Sequence, residues 1–145
     1  MTTPGPLSAD VLAQDSAPPE RLHGVLETVH GLYNNVVQPR EDALRHRLDD
    51  ERQYLDSDGR LHPEIIAARR EIMAAAGEAG IYSAHLPTHL GGGGYSREDM
   101  IYIEELVYSY GVGLNPALLS WSEGATPRLL FAHDHQREEF TDPLV

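Results

Sequence analysis

Cysteine is absent from the 145 residues, which excludes a disulfide framework, a thiolate nucleophile and any Cys-ligated zinc site. Lysine is absent as well, so Schiff-base chemistry and the phosphate-binding lysine of a Walker motif are closed. Positive charge is scarce: eleven Arg stand against 23 Asp and Glu, for a formal net charge of −12. An acidic field repels phosphate, so neither nucleic acid nor an anionic membrane is an expected partner, and the charge serves solubility. No basic stretch followed by an apolar one opens the chain, and nowhere do about 18 apolar residues run together. Neither secretion nor membrane spanning is expected, and the expected location is cytoplasmic.

What is present suits one domain. A globular chain of this length buries roughly 70% of the surface that its unfolded form exposes, and 41% of its residues are apolar. The first twenty residues, MTTPGPLSADVLAQDSAPPE, are rich in Pro, Ser, Thr and Ala and read as a flexible tail, leaving residues 21–145 as the domain.

Apolar positions at Leu22, Val25, Leu26, Val29, Leu32, Tyr33 and Val36 keep the spacing of one helical face, and Pro39 is expected to stop that helix. The charged stretch from Glu41 to Tyr54 offers only Ala43, Leu44 and Leu48 for burial and reads as a short exposed helix or a loop. Asp56-Ser57-Asp58-Gly59 is a turn. Pro63 suits the first position of a helix that carries Ile65, Ile66, Ile72, Met73 and Ala76 and fades at Gly77 to Gly80. Pro87 and Gly91 to Gly94 make the following stretch a loop.

Ser96 and Asp99 resemble a capping box for a helix reaching about Tyr110. Met100, Ile101, Ile103, Leu106, Val107 and the tyrosines leave that helix apolar over most of its circumference, so it is expected at the centre of the domain. Asn115-Pro116 opens another helix, with Leu118, Leu119, Trp121, Ala125, Leu129 and Leu130 on its buried side and a kink near Gly124 caused by Pro127. Asp134 is expected to cap a last helix, HQREEF. No alternating pattern suggests a sheet, so the expected class is all-α, a bundle of five or six helices.

The residues alone yield no chemical site. The glycine run meets neither GxGxxG nor GxxxxGK[ST] and reads as a tight structural turn. His85 and His89 straddle Pro87, which spoils the one-face geometry of helical metal ligands; HEXXH is absent, and no metal site is expected. The pairs Glu104-Glu105 and Glu138-Glu139 diverge by roughly 100° if helical, so they do not converge on one substrate atom. Glu104 sits beside the apolar stripe and reads as a polar anchor met by a neighbouring helix. No GxSxG elbow occurs.

From Gly80 to Leu144 several weak pieces fall in a telling order: Gly80-Ile81, Leu86-Pro87, Gly91-Gly92-Gly93-Gly94-Tyr95-Ser96, Glu104-Glu105-Leu106, Gln136-Arg137-Glu138-Glu139-Phe140 and Pro143-Leu144. In this order and spacing the chain resembles the N-terminal helical domain of the acyl-CoA dehydrogenases, a likeness that extends back to about Leu22. Two departures are Thr88-His89-Leu90-Gly91-Gly92, where an acidic-Tyr-Gly-Gly stretch is usual, and Ala132 in place of a usual Gly.

The resemblance implies a flavin enzyme that oxidises an acyl-CoA to its 2,3-enoyl form with FAD, and a homo-oligomer. The middle β domain with most of the flavin site and the C-terminal helical domain with the catalytic base would be missing domains or a complementary subunit. Hence no catalytic and no cofactor-binding residue is assigned here, and the chain is expected to be inactive by itself. Its share would be part of the acyl-binding wall, for which the resemblance points to Leu119, Ser122 and Glu123; the bland alternative is that Leu119 is core and Glu123 solvated. The alternative function is a non-catalytic helical interaction module, or a truncated paralogue without activity of its own.

Overall fold

The computed structural model describes residues 17–111, 113–120, 131–136 and 139. Among them the fold is all-α, as expected. After a 3-10 turn at Glu20–Leu22, the helices are α1 (His23–Leu32), α2 (Gln38–Leu48), α3 (Glu51–Tyr54), α4 (Pro63–Glu78), α5 (Arg97–Ser109) and α6 (Asp134–Gln136). A π-helical turn, Tyr33–Val37, joins α1 to α2 without a break, so the six segments form five rods. No strand occurs among the described residues; a single antiparallel bridge, Leu55 with Leu61, closes the Asp56–Gly59 turn. There Asp56 Oδ1 accepts the N–H of Asp58 and of Arg60, and Gly59 takes a positive φ of 74°.

Pro39 therefore does not stop the first helix. The Gln38 N–H donates to the Tyr33 carbonyl, five residues back, and Pro39 falls in the first turn of the helical segment that follows, where proline is tolerated. The wider π-turn absorbs one extra residue, which also shifts the buried stripe. A pure α-helix would follow Val29 with Val36 on the same face; instead Val37 is fully buried and Val36 only half-buried. Beyond it, α2 buries nothing, as its dense charge dictates.

The core gathers Leu22, Val25, Val29 and Val37 from the first rod, Ile65, Ala68, Ile72 and Ala76 from α4, and Met100, Ile103 and Val107 from α5. Each large apolar side chain fully buried here contributes about 1.5–3 kcal/mol. Pro63 opens α4 as expected. The capping box forms on α5: Ser96 Oγ accepts the Asp99 N–H and the Asp99 carboxylate accepts the Ser96 N–H, both at 3.2 Å, while Arg21 from the first turn also pairs with Asp99. α5 is not buried all round, however. Its stripe faces α1 and the 115–118 turn, whereas Ile101 is 62% and Tyr108 50% exposed, seven residues apart on another side.

The expected helix from Asn115 is also revised. It is a 3-10 turn, Asn115–Leu118, and the chain becomes extended at Leu119 (φ −122°, ψ 140°). The buried Asn115 amide is used inward, donating to the carbonyls of Val107 (2.7 Å) and Gly111 (3.1 Å) and accepting the Gly113 N–H (3.1 Å). The Ser120 N–H then donates to the Tyr82 carbonyl, which draws the segment alongside the 81–86 loop. The rest of that expected helix, with Trp121, Gly124, Pro127, Leu129 and Leu130, lies outside the described residues. Asp134 is the first residue of α6, not its cap; the Gln136 side chain accepts the His133 N–H at 3.0 Å. No helix among the described residues is long and apolar enough to cross a membrane.

Candidate functional site

The segment that sequence resemblance assigns to an acyl wall leaves α5 through the Asn115 turn. Its described part is largely apolar: Leu114, Ala117, Leu118 and Leu119 are all buried, together with the polar Asn115 and Ser120, beside Ile81 and Tyr82. Leu119 is 3% exposed and its N–H donates to the Pro116 carbonyl, so within this chain Leu119 packs into the core. Ser122 and Glu123 lie outside the described residues.

The glycine loop borders the same segment. Its four amides all donate within the loop: Gly91 to Thr88, Gly92 to Pro87, Gly93 to Ser83 and Gly94 to Leu86. Gly91 and Gly94 have positive φ, and a Cβ on Gly92 would lie 2.2 Å from the Leu86 carbonyl oxygen. The run is thus a tight structural turn, and it presents no N–H cradle to a phosphate. The FAD that the resemblance implies does not fit this loop.

A polar junction, unannounced by any local sequence pattern, ties this segment to the first rod. The rings of Tyr33 and Tyr110 stack with centroids 3.7 Å apart and planes 4° from parallel. The Tyr110 hydroxyl lies 2.7 Å from His30 Nδ1. Glu41 Oε2 accepts from the Tyr33 hydroxyl at 3.3 Å, and Glu41 Oε1 accepts the Leu114 N–H at 2.7 Å. Beside them opens a polar cleft of about 240 Å³, flanked by Arg45 and Asp49. Burial pushes both phenols above their ordinary pKa, and the neighbouring Glu41 carboxylate raises that of Tyr33 further.

The remaining candidates separate. His89 is exposed and His85 half-buried, and no three His, Asp or Glu side chains gather as a metal site among the described residues. Glu104 is half-buried and engaged, whereas Glu105 is exposed, the divergence expected of adjacent helical positions.

No curated protein and no solved structure matches the chain. The profile of the family described as "Acyl-CoA dehydrogenase, N-terminal domain" matches residues 20–145, nearly the whole chain. With that span and this all-helical fold, the chain belongs to the acyl-CoA dehydrogenase N-terminal domain family.

Proposed function

We propose that this chain acts as the N-terminal domain of a flavin-dependent enzyme that oxidises an acyl-CoA to the 2,3-enoyl-CoA, and that it contributes part of the wall around the acyl chain. The family match over residues 20–145 carries this reading. FAD, which accepts the hydride, and the carboxylate that takes the α-proton are assigned to the flavin and catalytic domains, or to a complementary subunit. The residues of this chain would hold the acyl carbons in line and keep water out, a task for which the resemblance points to Ser122 and Glu123, with the buried 114–119 segment, Leu119 included, as the packed stretch that leads into them. A cytoplasmic homo-oligomer is part of the same reading.

The test is anaerobic mixing of a flavin-loaded assembly containing this domain with acyl-CoAs of several lengths. Loss of oxidised flavin absorbance together with 2,3-enoyl-CoA formation is expected; an unbleached flavin with every acyl-CoA overturns the reading. A second reading, a helical interaction module without activity, draws on the exposed Ile101 and Tyr108 of α5 and on an apolar groove of about 340 Å³ beside Leu26 of α1. Activity in the flavin assay would exclude it.

A further inference from the structure

We propose that Glu41 is a positioning residue: it fixes the turn after α5, and with it the direction in which the 115–120 segment leaves that helix. Leu114 is 2% exposed, so its N–H has little access to water and depends on an internal acceptor. The acceptor is the Glu41 carboxylate, at 2.7 Å, and an ionised acceptor makes this bond stronger than a neutral one. Leu114 also anchors the next bonds of the turn through its other peptide unit: its carbonyl accepts from Ala117, and two residues on the Pro116 carbonyl accepts from Leu119. Tilting Leu114 would therefore shift the whole turn.

Three features aim Glu41 at this place. The second carboxylate oxygen is held by the Tyr33 hydroxyl, and Tyr33 is clamped by its stack on Tyr110, at the end of α5 itself. Gly113 leaves room for the carboxylate, because a Cβ there would sit 2.2 Å from Oε1. The π-turn supplies the register. Eight residues of plain α-helix would turn Tyr33 and Glu41 about 80° apart, at roughly 100° per residue. With one residue absorbed by the turn they stand as though seven apart, within about 20° of one face.

That this turn shapes an acyl wall rests on the proposed function; the role of Glu41 in holding the turn does not. Amide hydrogen exchange on the chain tests the latter. Glu41→Ala should speed exchange at Leu114 and Ala117 by about tenfold to a hundredfold, the range expected for losing a bond to a charged acceptor, with Ile72 in α4 unchanged. Glu41→Gln keeps a carbonyl oxygen and should give a smaller rise at the same two amides; it carries the test should Glu41→Ala not fold. Unchanged exchange at Leu114, or an equal rise at Leu114 and Ile72, overturns the proposal. Should the wall reading alone be wrong, the exchange result stands, and acyl-length preference in a Glu41→Gln enzyme stays that of the parent.

Discussion

Glu41 accepts the backbone N–H of Leu114 across 73 residues of sequence, and the residue before Leu114 is a glycine whose Cβ position the carboxylate crowds at 2.2 Å. Gly113→Ala should then push the movable carboxylate off the buried Leu114 N–H and cost about 1–3 kcal/mol, the range for leaving a buried donor without its acceptor. In a Glu41→Ala background the same substitution meets no carboxylate and should cost much less. Chemical denaturation of the four proteins in this cycle checks the coupling; simple additivity would mean that the two residues do not meet.

The π-turn between α1 and α2 accommodates one residue more than an α-helix would. Deleting Asn35, which is exposed, should convert it to ordinary helix and keep Val37 and Glu41 on their faces. It would also place Pro39 inside a helix, at a cost of about 3 kcal/mol. The deletion should therefore be poorly tolerated alone and recovered in large part by Pro39→Ala. Thermal melts decide this; a deletion as damaging with alanine at position 39 as with proline would show that the turn is not a one-residue insertion.

Tyr33 and Tyr110 have phenols raised above the ordinary value of 10.0 by burial, with Glu41 adding to the rise at Tyr33. The folded state thus holds the neutral form more firmly than the unfolded state does. Their contribution is complete below pH 10.0 and is lost as pH climbs through the raised folded values. Tyr33→Phe should flatten this alkaline loss, measured as denaturation midpoint against pH. An identical slope in both proteins would contradict the assignment.

Two glycines should respond with opposite signs. Gly77 lies in α4 with nothing within 4 Å of the point where a Cβ would stand, so Gly77→Ala should stabilise by about 0.5–1 kcal/mol through helix propensity. Gly92→Ala would press a methyl onto the Leu86 backbone, at 2.2 Å from its oxygen, and should destabilise by about 3 kcal/mol. Equal melting temperatures for the two variants would refute the close packing of the glycine loop.

Local signals carried much of this architecture. Pro63 opening α4, the Ser96–Asp99 box and the Asp56–Gly59 turn act over three or four residues, so periodicity and capping chemistry reveal them. The first rod misleads, because Pro39 reads as a stop unless a π-turn precedes it, and that turn moves burial from Val36 to Val37. Asn115 looks like an ordinary helix start, yet its amide is drawn inward by the end of α5. Glu41 is one acidic residue in a charged stretch; its partner lies in another element, and no local pattern announces it. Of the wall candidates, Leu119 is core within this chain, and the resemblance alone speaks for Ser122 and Glu123.

The ratio of kcat/KM for long against short acyl-CoAs in the flavin-loaded assembly decides whether this domain lines the acyl chain. A carboxylate on that wall disfavours an alkyl tail, since burying a charge without a partner is costly. Glu123→Leu should raise the long-to-short ratio by about tenfold, a change of about 1.4 kcal/mol, without abolishing turnover, because the base is assigned to another domain. A ratio equal to that of the parent enzyme would mean that Glu123 does not face the acyl chain and is a solvated surface residue.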